Sequence, residues 1–263
     1  MKSRKLYFGS NLKMYKGVAD TAAFLTELQQ LTADLDREAI ELFILPSYTS
    51  LPEAARVTDQ QLIRLGAQNM GWEEEGQFTG EISCRMLAEL GIGMVMAGHS
   101  ERRHVFRETD EDERLKVRCA LDHGMIPLLC IGETGEDKAY GISREVLAVQ
   151  LKIGLHGLKD EEARRVRVAY EPVWSIGVHG TPAEPSYAEE MHASIKATLR
   201  EIFPNVWEEI PVLYGGSVNP GNARELIALP SVDGLYVGRS AWHADKFNIL
   251  IRDALEAAHA AGK

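Results

Sequence analysis

The chain reads Ala169-Tyr-Glu-Pro-Val-Trp-Ser-Ile-Gly-Val-His-Gly-Thr-Pro182 at the point where a predicted strand passes into a long loop. Just before it, arginine and valine alternate between positions 165 and 168, and this period of two predicts a strand. Glu171 precedes Pro172, and a proline keeps the residue before it out of the helical region. The sequence therefore predicts that the carboxylate of Glu171 is held at the end of this strand.

The loop after Pro172 has the composition of a closable lid. Ser175-Ile-Gly177 is small and apolar, and Gly180-Thr-Pro182 precedes a predicted helix. A base at the root of such a lid suits the removal of a proton from carbon, because water must be kept from a reactive carbanion. Taken alone, the same residues fit an ordinary strand-to-helix loop with a chance glutamate equally well.

Eight predicted strands alternate with helices along the rest of the chain. Most of these strands are short continuous apolar runs, as buried parallel strands are. The predicted strands are 5–10, 41–45, 62–68, 93–97, 125–131, 165–169, 211–214 and 234–237, and the predicted helices are 21–35, 50–57, 83–90, 111–122, 143–158, 186–202, 221–228 and 245–260. This count predicts an α/β fold, a single-domain (β/α)8 barrel over residues 1–263. A doubly wound open sheet is the second possibility, although no glycine fingerprint for a dinucleotide follows the first strand.

Composition excludes several classes of function. The 263 residues are 45% hydrophobic, enough for one sizeable core, and the net charge of −10 argues against nucleic acid and anionic membranes. No apolar run is long enough to span a bilayer, and the first residues do not resemble a signal peptide. The widely spaced Cys84, Cys119 and Cys130 give neither a disulfide framework nor a metal pattern. We expect a cytoplasmic protein with reduced thiols.

Polar residues and glycines follow several of the predicted strands. The active site of a barrel lies at the carboxyl ends of its strands, and the turns after strands seven and eight are its usual phosphate site. Any one of these groups has an ordinary explanation, but their joint placement favours an active site. They are Asn11 and Lys13 after strand one, His99 and Glu101 after strand four, Glu171 after strand six, Gly215, Gly216 and Ser217 after strand seven, and Gly238 and Arg239 after strand eight.

These residues belong to motifs that span most of the chain. On these motifs the chain resembles the triosephosphate isomerase family over nearly its full length, which implies a TIM barrel. That family is the established example of a glutamate base working with a neutral histidine, and the roles given next are carried over from it. The motifs are Asn11-Leu-Lys-Met14, Ala67-Gln-Asn69, Phe78-Thr-Gly-Glu-Ile-Ser83, Gly98-His-Ser-Glu-Arg-Arg103, Cys130-Ile-Gly-Glu133, Tyr170-Glu-Pro-Val-Trp174, Tyr214-Gly-Gly-Ser-Val218 and Asp233-Gly234 to Gly238.

The resemblance implies five catalytic residues. Glu171 would move a proton between adjacent carbons of a phosphorylated hydroxy-ketone. His99 would polarise the carbonyl, and Lys13 would stabilise the developing enediolate electrostatically. Asn11 would orient the substrate oxygens, and Glu101 would position Lys13 and hold Glu171 in its resting pose.

The resemblance also implies a phosphate site and a homodimer. Backbone N–H groups around Gly177, Gly216 and Ser217, and in the turn of Gly238 and Arg239, would bind the phosphate. No metal or organic cofactor is implied.

The homodimer would form through the loop after strand three. This loop, Met70–Thr79, would insert into the partner subunit, with Thr79 near the partner's Asn11 and Lys13. Its polar composition suggests that it does not pack on its own barrel.

Three segments depart from the usual family pattern. Leu12 and Tyr15 change the turn after strand one, the lid continues as Val178-His-Gly-Thr-Pro182, and the turn after strand eight reads Gly238-Arg-Ser-Ala-Trp242. Either Arg239 points away from the ligand or its guanidinium touches it. These changes favour a branch that acts on four-carbon sugar phosphates, such as tetrulose or erythrulose phosphates.

Three other functions remain as alternatives. A glycolytic triosephosphate isomerase is the nearest. A non-catalytic sugar-phosphate sensor would not need Lys13, His99 and Glu171 together. A phosphate-ester lyase using the same enediolate would have a shorter or more polar lid.

Overall fold

The computed structural model describes residues 5–177 and 180–263. Its eight strands are all parallel and close into one barrel in sequence order, and β1 pairs with β8. The strands are β1 (Leu6–Asn11), β2 (Ile40–Leu45), β3 (Arg64–Ala67), β4 (Met94–Ala97), β5 (Ile126–Ile131), β6 (Arg167–Tyr170), β7 (Val212–Tyr214) and β8 (Gly234–Val237). The predicted barrel and its strand order are therefore confirmed, with strand ends shifted by at most two residues.

Helices follow the strands and cover the outside of the barrel. They are α1 (Val18–Leu31), α2 (Leu51–Val57), α3 (Cys84–Glu89), α4 (Ser100–His104), α5 (Asp110–Asp122), α6 (Gly135–Tyr140), α7 (Ser143–Gly154), α8 (Asp160–Ala163), α9 (Pro185–Ile202), α10 (Ala223–Ala228) and α11 (Ala244–Ala260). Among the helices of the described residues, none combines the length and apolar character needed to cross a membrane.

The apolar core has two parts, because alternate strand residues face opposite sides of the barrel wall. One part lies between the strands and the helices, and the other fills the barrel interior with residues such as Phe43, Met94 and Leu128. Gly9 makes room for the ring of Phe43, since a Cβ at Gly9 would lie 2.0 Å from that ring. Because side chains fill the interior, a ligand would bind at the carboxyl ends of the strands and not inside the barrel.

Three short helices were missed by the sequence prediction. The segment 98–103 was expected to be a loop, but α4 begins at Ser100, and a helix of five residues is too short to show apolar periodicity. α6 has a clear capping box between Thr134 and Asp137, but no residue of this helix is buried. α8 is a single turn of four residues.

The loop after β3, which was expected not to pack on its own barrel, is buried there only at its first residue. Met70 is fully buried in the core, so the loop is anchored at its start, whereas residues 72–80 are exposed. Trp72 and Phe78 face each other edge-on within this exposed part, with ring centroids 6.4 Å apart. The predicted role of Val178 in the lid lies outside the described residues.

Candidate active site

A cavity of about 400 Å³ opens at the carboxyl ends of the strands. The catalytic and phosphate-binding residues that were predicted all contribute to its lining. Thr79, which was expected near the partner's Asn11 and Lys13, does not line the cavity of its own subunit. The lining includes Asn11, Lys13, His99, Glu101, Glu171, Gly177, Gly215, Gly216, Ser217, Gly238 and Arg239. The fold therefore brings together groups that follow five different strands.

Glu171 follows β6 directly and is 3% exposed. Its N–H donates to the carbonyl of Ile131 at 2.7 Å, which extends the pairing between β5 and β6 by one residue. Gly132 permits this close approach, because a Cβ there would lie 1.9 Å from the Glu171 carbonyl oxygen. Sequence reasoning did not assign a function to Gly132, although it lies within the Cys130–Glu133 motif.

His99 is buried at the start of α4, with its ring facing Glu171. The Nδ1 atom accepts a hydrogen bond from the N–H of Glu101 at 3.1 Å, so Nδ1 carries no proton in this arrangement. The proton of the ring therefore lies on Nε2, which is 3.6 Å from Oε1 of Glu171. The backbone of α4 thus fixes the tautomer that can donate to a substrate oxygen.

Lys13 has a strained backbone, with a φ of 50° that non-glycine residues rarely adopt. Its N–H donates to Oδ1 of Asn11 at 2.8 Å, and Nε2 of Gln68 donates to its carbonyl at 2.9 Å. Its ammonium lies 2.7 Å from Oε1 of Glu101. Backbone strain of this kind is retained at functional sites, where it fixes the orientation of a side chain. Here it orients the ammonium of Lys13 toward the cavity. Sequence reasoning missed Gln68.

Glu101 contacts two of the other site residues. Burial alone would raise the pKa of its carboxyl, but the pKa is lowered overall, with the hydrogen bond and the positive charge of Lys13 acting against burial. Its other oxygen lies 3.6 Å from Nδ1 of His99. The group facing Glu171 is His99, and the described contacts of Glu101 do not include Glu171.

Two glycine-containing turns, after β7 and β8, contribute to the lining of the cavity. Gly216 lies against a tyrosine, because a Cβ there would be 2.3 Å from the hydroxyl of Tyr214. The N–H of Ser217 donates to the hydroxyl of Ser175 at 3.1 Å, which joins this turn to the root of the lid. The lid root is also anchored by Trp174, whose Nε1 donates to the buried Glu133 at 2.8 Å.

The turn after β8 forms a wall with the turn after β1. Arg239 is exposed and lines the cavity, and the described structure gives it no ion pair. The indole of Trp242 donates to the carbonyl of Asn11 at 3.0 Å and packs on the ring of Tyr15, with centroids 4.4 Å apart. Two of the departures seen in the sequence, Tyr15 and Trp242, are therefore in contact beside Arg239.

The arrangement of charged and polar groups in the cavity fits a small anionic ligand. The cavity offers two carboxylates, one imidazole, one ammonium, one guanidinium and backbone N–H groups in small turns, which together suit proton transfer on a small anionic substrate. Among the described residues, the cluster of metal-ligating side chains at Cys84, Cys119 and His123 lies outside this cavity.

Comparison with known proteins gives one family. The family model described as triosephosphate isomerase matches residues 6–254. A protein of Rhizobium etli named L-erythrulose-1-phosphate isomerase is 44% identical over 250 residues, which is 94% of this chain and 92% of the relative. A Brucella abortus protein of the same name is 42% identical, covering 95% of this chain and 97% of the relative. A Fusobacterium nucleatum protein named triosephosphate isomerase is 40% identical, with coverage of 95% and 98%.

Proposed function

The chain belongs to the triosephosphate isomerase family, and from this premise we propose that it interconverts isomers of a four-carbon sugar phosphate, an erythrulose phosphate. The family and the relatives make the chain a sugar-phosphate isomerase. The observation that carries the four-carbon substrate is the wall of Tyr15, Trp242 and Arg239 along the cavity. The relatives named L-erythrulose-1-phosphate isomerase support the same substrate class.

In the proposed mechanism, Glu171 takes a proton from a carbon next to the carbonyl. As it does so, Nε2–H of His99 donates to the carbonyl oxygen, and an enediolate forms. The ammonium of Lys13 stabilises its negative charge, and Asn11 orients the substrate oxygens. Glu171 then returns the proton to the neighbouring carbon, while His99 carries the hydroxyl proton from the oxygen of the first carbon to the former carbonyl oxygen. The 3.6 Å between Nε2 and Oε1 supports this assignment, because a substrate lying against both groups would present an oxygen to His99 and an adjacent carbon to Glu171.

The phosphate is proposed to bind at the opposite side of the cavity. Backbone N–H groups of Gly177, Ser217 and the turn at Gly238 and Arg239 are the candidate donors, with Gly216 allowing close approach. In this structure the Ser217 N–H donates to Ser175, so phosphate binding would exchange that bond for one to the ligand. Closure of the lid would accompany the exchange, since Ser175 belongs to the lid root.

We further propose a cytoplasmic homodimer. The exposed loop from Trp72 to Gly80 supports it, because exposed aromatic rings at 36% for Trp72 and 45% for Phe78 are typical of a surface that a partner covers. In the dimer, Thr79 would approach Lys13 of the other subunit. Sedimentation at micromolar concentration checks this proposal, and a fully active monomer would refute it.

The substrate is tested by comparing turnover of dihydroxyacetone phosphate with that of the erythrulose phosphates. We expect the wild type to prefer a four-carbon substrate in kcat/KM, and Arg239→Gly to weaken the four-carbon substrate more than the three-carbon one. A wild type that prefers dihydroxyacetone phosphate by several orders of magnitude would instead indicate a glycolytic isomerase. Equal effects of Arg239→Gly on both substrates would show that Arg239 does not determine the choice between them.

The base is tested separately with Glu171→Asp. Shortening the side chain by one methylene moves the carboxylate away from the substrate carbon, so we expect kcat to fall by about a hundredfold or more. Retained turnover in this variant would reject Glu171 as the base. Absence of turnover in the wild type on every sugar phosphate, with binding retained, would indicate a sensor.

A further inference from the structure

A cluster of two cysteines and one histidine lies between α3, α5 and the loop after β3. Cys84 is the first residue of α3, Cys119 lies in α5, and His123 follows the end of α5. The sulfur atoms of Cys84 and Cys119 are 3.5 Å apart, and Sγ of Cys119 is 3.8 Å from Nδ1 of His123. The three ligand atoms all lie within 4.8 Å of one another.

Two of these three separations are close to the edges of a tetrahedral metal site. Zinc binds sulfur at about 2.3 Å and imidazole nitrogen at about 2.0–2.1 Å, so tetrahedral geometry places two sulfurs about 3.8 Å apart and a sulfur and a nitrogen about 3.5 Å apart. The observed distances of 3.5 Å and 3.8 Å need shifts of only a few tenths of an ångström. We propose that Cys84, Cys119 and His123 bind one divalent metal ion of the zinc type.

The far side of the histidine carries the partner that metal-bound histidines usually have. Nε2 of His123 lies 3.0 Å from Oε1 of Glu74 in the exposed loop. A carboxylate on the second nitrogen orients a ligating imidazole and makes it a stronger ligand. Nδ1 now contacts the carbonyl of Cys119 at 2.8 Å, and the metal would take the place of that contact.

Charge balance favours a divalent ion. Binding replaces the two thiol protons of Cys84 and Cys119, which leave to solvent, so two thiolates and M²⁺ form a neutral unit with neutral His123. Neutrality matters because Cys84 is fully buried and Cys119 is 7% exposed within the apolar core. Solvent reaches the site from the side of His123, whose side chain is 21% exposed, and a water molecule there completes the four ligands.

The chemistry of the metal-free thiols argues against a redox pair. Cys84 is fully buried and Cys119 is 7% exposed, so an oxidant in solution has little access to either sulfur. A metal instead displaces the proton directly and makes binding stronger as pH rises.

The site would stabilise the fold without taking part in the reaction. It links α3 to α5 and, through Glu74, holds the exposed loop that is proposed to meet the partner subunit. None of its three ligands lines the cavity at the barrel mouth. Metal binding should therefore raise the unfolding temperature of the full chain and leave the substrate preference unchanged.

The test uses the freshly reduced full-length protein titrated with Co²⁺ and then with Zn²⁺. We expect one equivalent of cobalt to give the thiolate-to-cobalt charge-transfer absorption and the visible bands of a tetrahedral site, and zinc to displace it. Cys119→Ser and Cys84→Ser should each abolish the charge-transfer absorption, whereas the matched control Cys130→Ser should retain it. Absence of the band in the wild type, or its survival in both cluster variants, would overturn the proposal.

A second pair of variants avoids changes in the core. Glu74→Gln should weaken zinc affinity by about 10–100-fold through loss of the carboxylate on His123. The matched control is Glu73→Gln, the adjacent exposed carboxylate, which should leave affinity unchanged. Equal affinities for both variants would overturn the assignment of Glu74. Paired loss of two thiols to peroxide in the metal-free protein, without cobalt binding, would show a redox pair and overturn the metal site.

Discussion

Two charge clusters of the protein are each centred on a lysine, and they have different roles. In the first, here called the mouth cluster (Lys13, Glu101, His99 and Glu171), the lysine side chain is 17% exposed and opens on the cavity. In the second, the buried cluster (Lys116, Glu108 and Glu113), the lysine is 1% exposed. The mouth cluster keeps charge available to a ligand, whereas the buried cluster uses its charge inside the protein.

The contacts of the two lysines explain the difference. Lys13 meets a single carboxylate, Glu101 at 2.7 Å, and it also lines the cavity where a ligand can reach its ammonium. Lys116 lies 2.6 Å from Glu108, 3.8 Å from Glu113 and 2.8 Å from Oδ1 of Asn69. Buried charges that are fully paired contribute rigidity, and removing one partner leaves the others uncompensated.

The largest expected effect follows from breaking the buried cluster. Lys116→Met should lower the free energy of unfolding by about 3–5 kcal/mol, because the buried carboxylate of Glu113 loses the cation beside it, although Glu108 keeps its ion pair with Arg102. Chemical denaturation measures this, and kcat of the folded enzyme should stay within a few-fold of wild type. The double variant Lys116→Met/Glu113→Leu removes the excess carboxylate and should recover part of the loss. A single variant as stable as wild type would contradict the description of this cluster.

The corresponding lysine substitution in the mouth cluster should lower turnover strongly and stability only slightly. Lys13→Met removes the cation proposed to face the enediolate, so kcat should fall by about 10²–10³-fold. Its effect on the free energy of unfolding should be below about 1 kcal/mol, because the ion pair with Glu101 is partly exposed. Steady-state kinetics and denaturation of the same preparation separate the two effects. Loss of stability without loss of turnover would reverse the comparison.

A pH experiment sharpens the contrast within the buried cluster. Burial raises the pKa of Glu113 to about 7, against the opposing charges of Lys116 and Arg103. The folded protein therefore holds a proton that the unfolded chain releases near its usual pKa of 4.5. The stability contributed by this proton is present below pH 4.5 and is lost as pH rises toward 7.

Glu113→Gln does not titrate and should remove this loss. We expect its free energy of unfolding, relative to wild type, to rise by on the order of 1–3 kcal/mol between pH 5 and pH 8. Glu111→Gln is the control on the same helix, because that carboxyl is exposed and its hydrogen bond with Arg114 lowers its pKa. Its difference from wild type should be flat across the same range. A parallel pH dependence of stability in wild type and Glu113→Gln would contradict the assignment of a raised pKa to Glu113.

The two clusters also differ in how much of them the sequence could predict. The side chains of the mouth cluster follow strands of a recognisable barrel, so their placement at one face follows from the topology. The buried cluster was not predicted, because Glu113 and Lys116 lie in a helix with a strongly charged sequence that suggests a solvated face. Only the packing of α5 against the barrel makes these positions interior.

Other contacts escaped prediction because they join residues that are distant in sequence. Cys84 and Cys119 are separated by 35 positions, so spacing alone suggested isolated thiols. Gln68 reaches the carbonyl of Lys13 across 55 positions. The backbone strain at Lys13 also has no sequence signal, since lysine ordinarily avoids positive φ. Motifs therefore locate the reacting groups, while the structure shows what holds them in place.

The smallest expected effect concerns backbone strain, which occurs at two non-glycine residues among those described. Lys13 has a φ of 50° at the mouth cluster, and Arg107 has a φ of 65° directly before Glu108 of the buried cluster. Arg107 is exposed, and the described contacts give it no hydrogen bond or ion pair. The strained backbone at Arg107 therefore does not orient its side chain toward a binding partner, whereas the strain at Lys13 orients the ammonium toward the cavity.

Arg107→Gly should consequently stabilise the protein by about 0.5–1 kcal/mol. Relief of the left-handed conformation contributes about 1–2 kcal/mol, and the greater freedom of glycine in the unfolded chain offsets part of it. Lys13→Gly relieves the same kind of strain, so the two variants are matched in backbone and differ only in the side chain removed. Thermal unfolding should show a rise for Arg107→Gly with turnover unchanged, whereas Lys13→Gly should lose turnover. A drop in stability for Arg107→Gly would mean that its side chain or its strain supports the buried cluster, because Arg107 directly precedes Glu108.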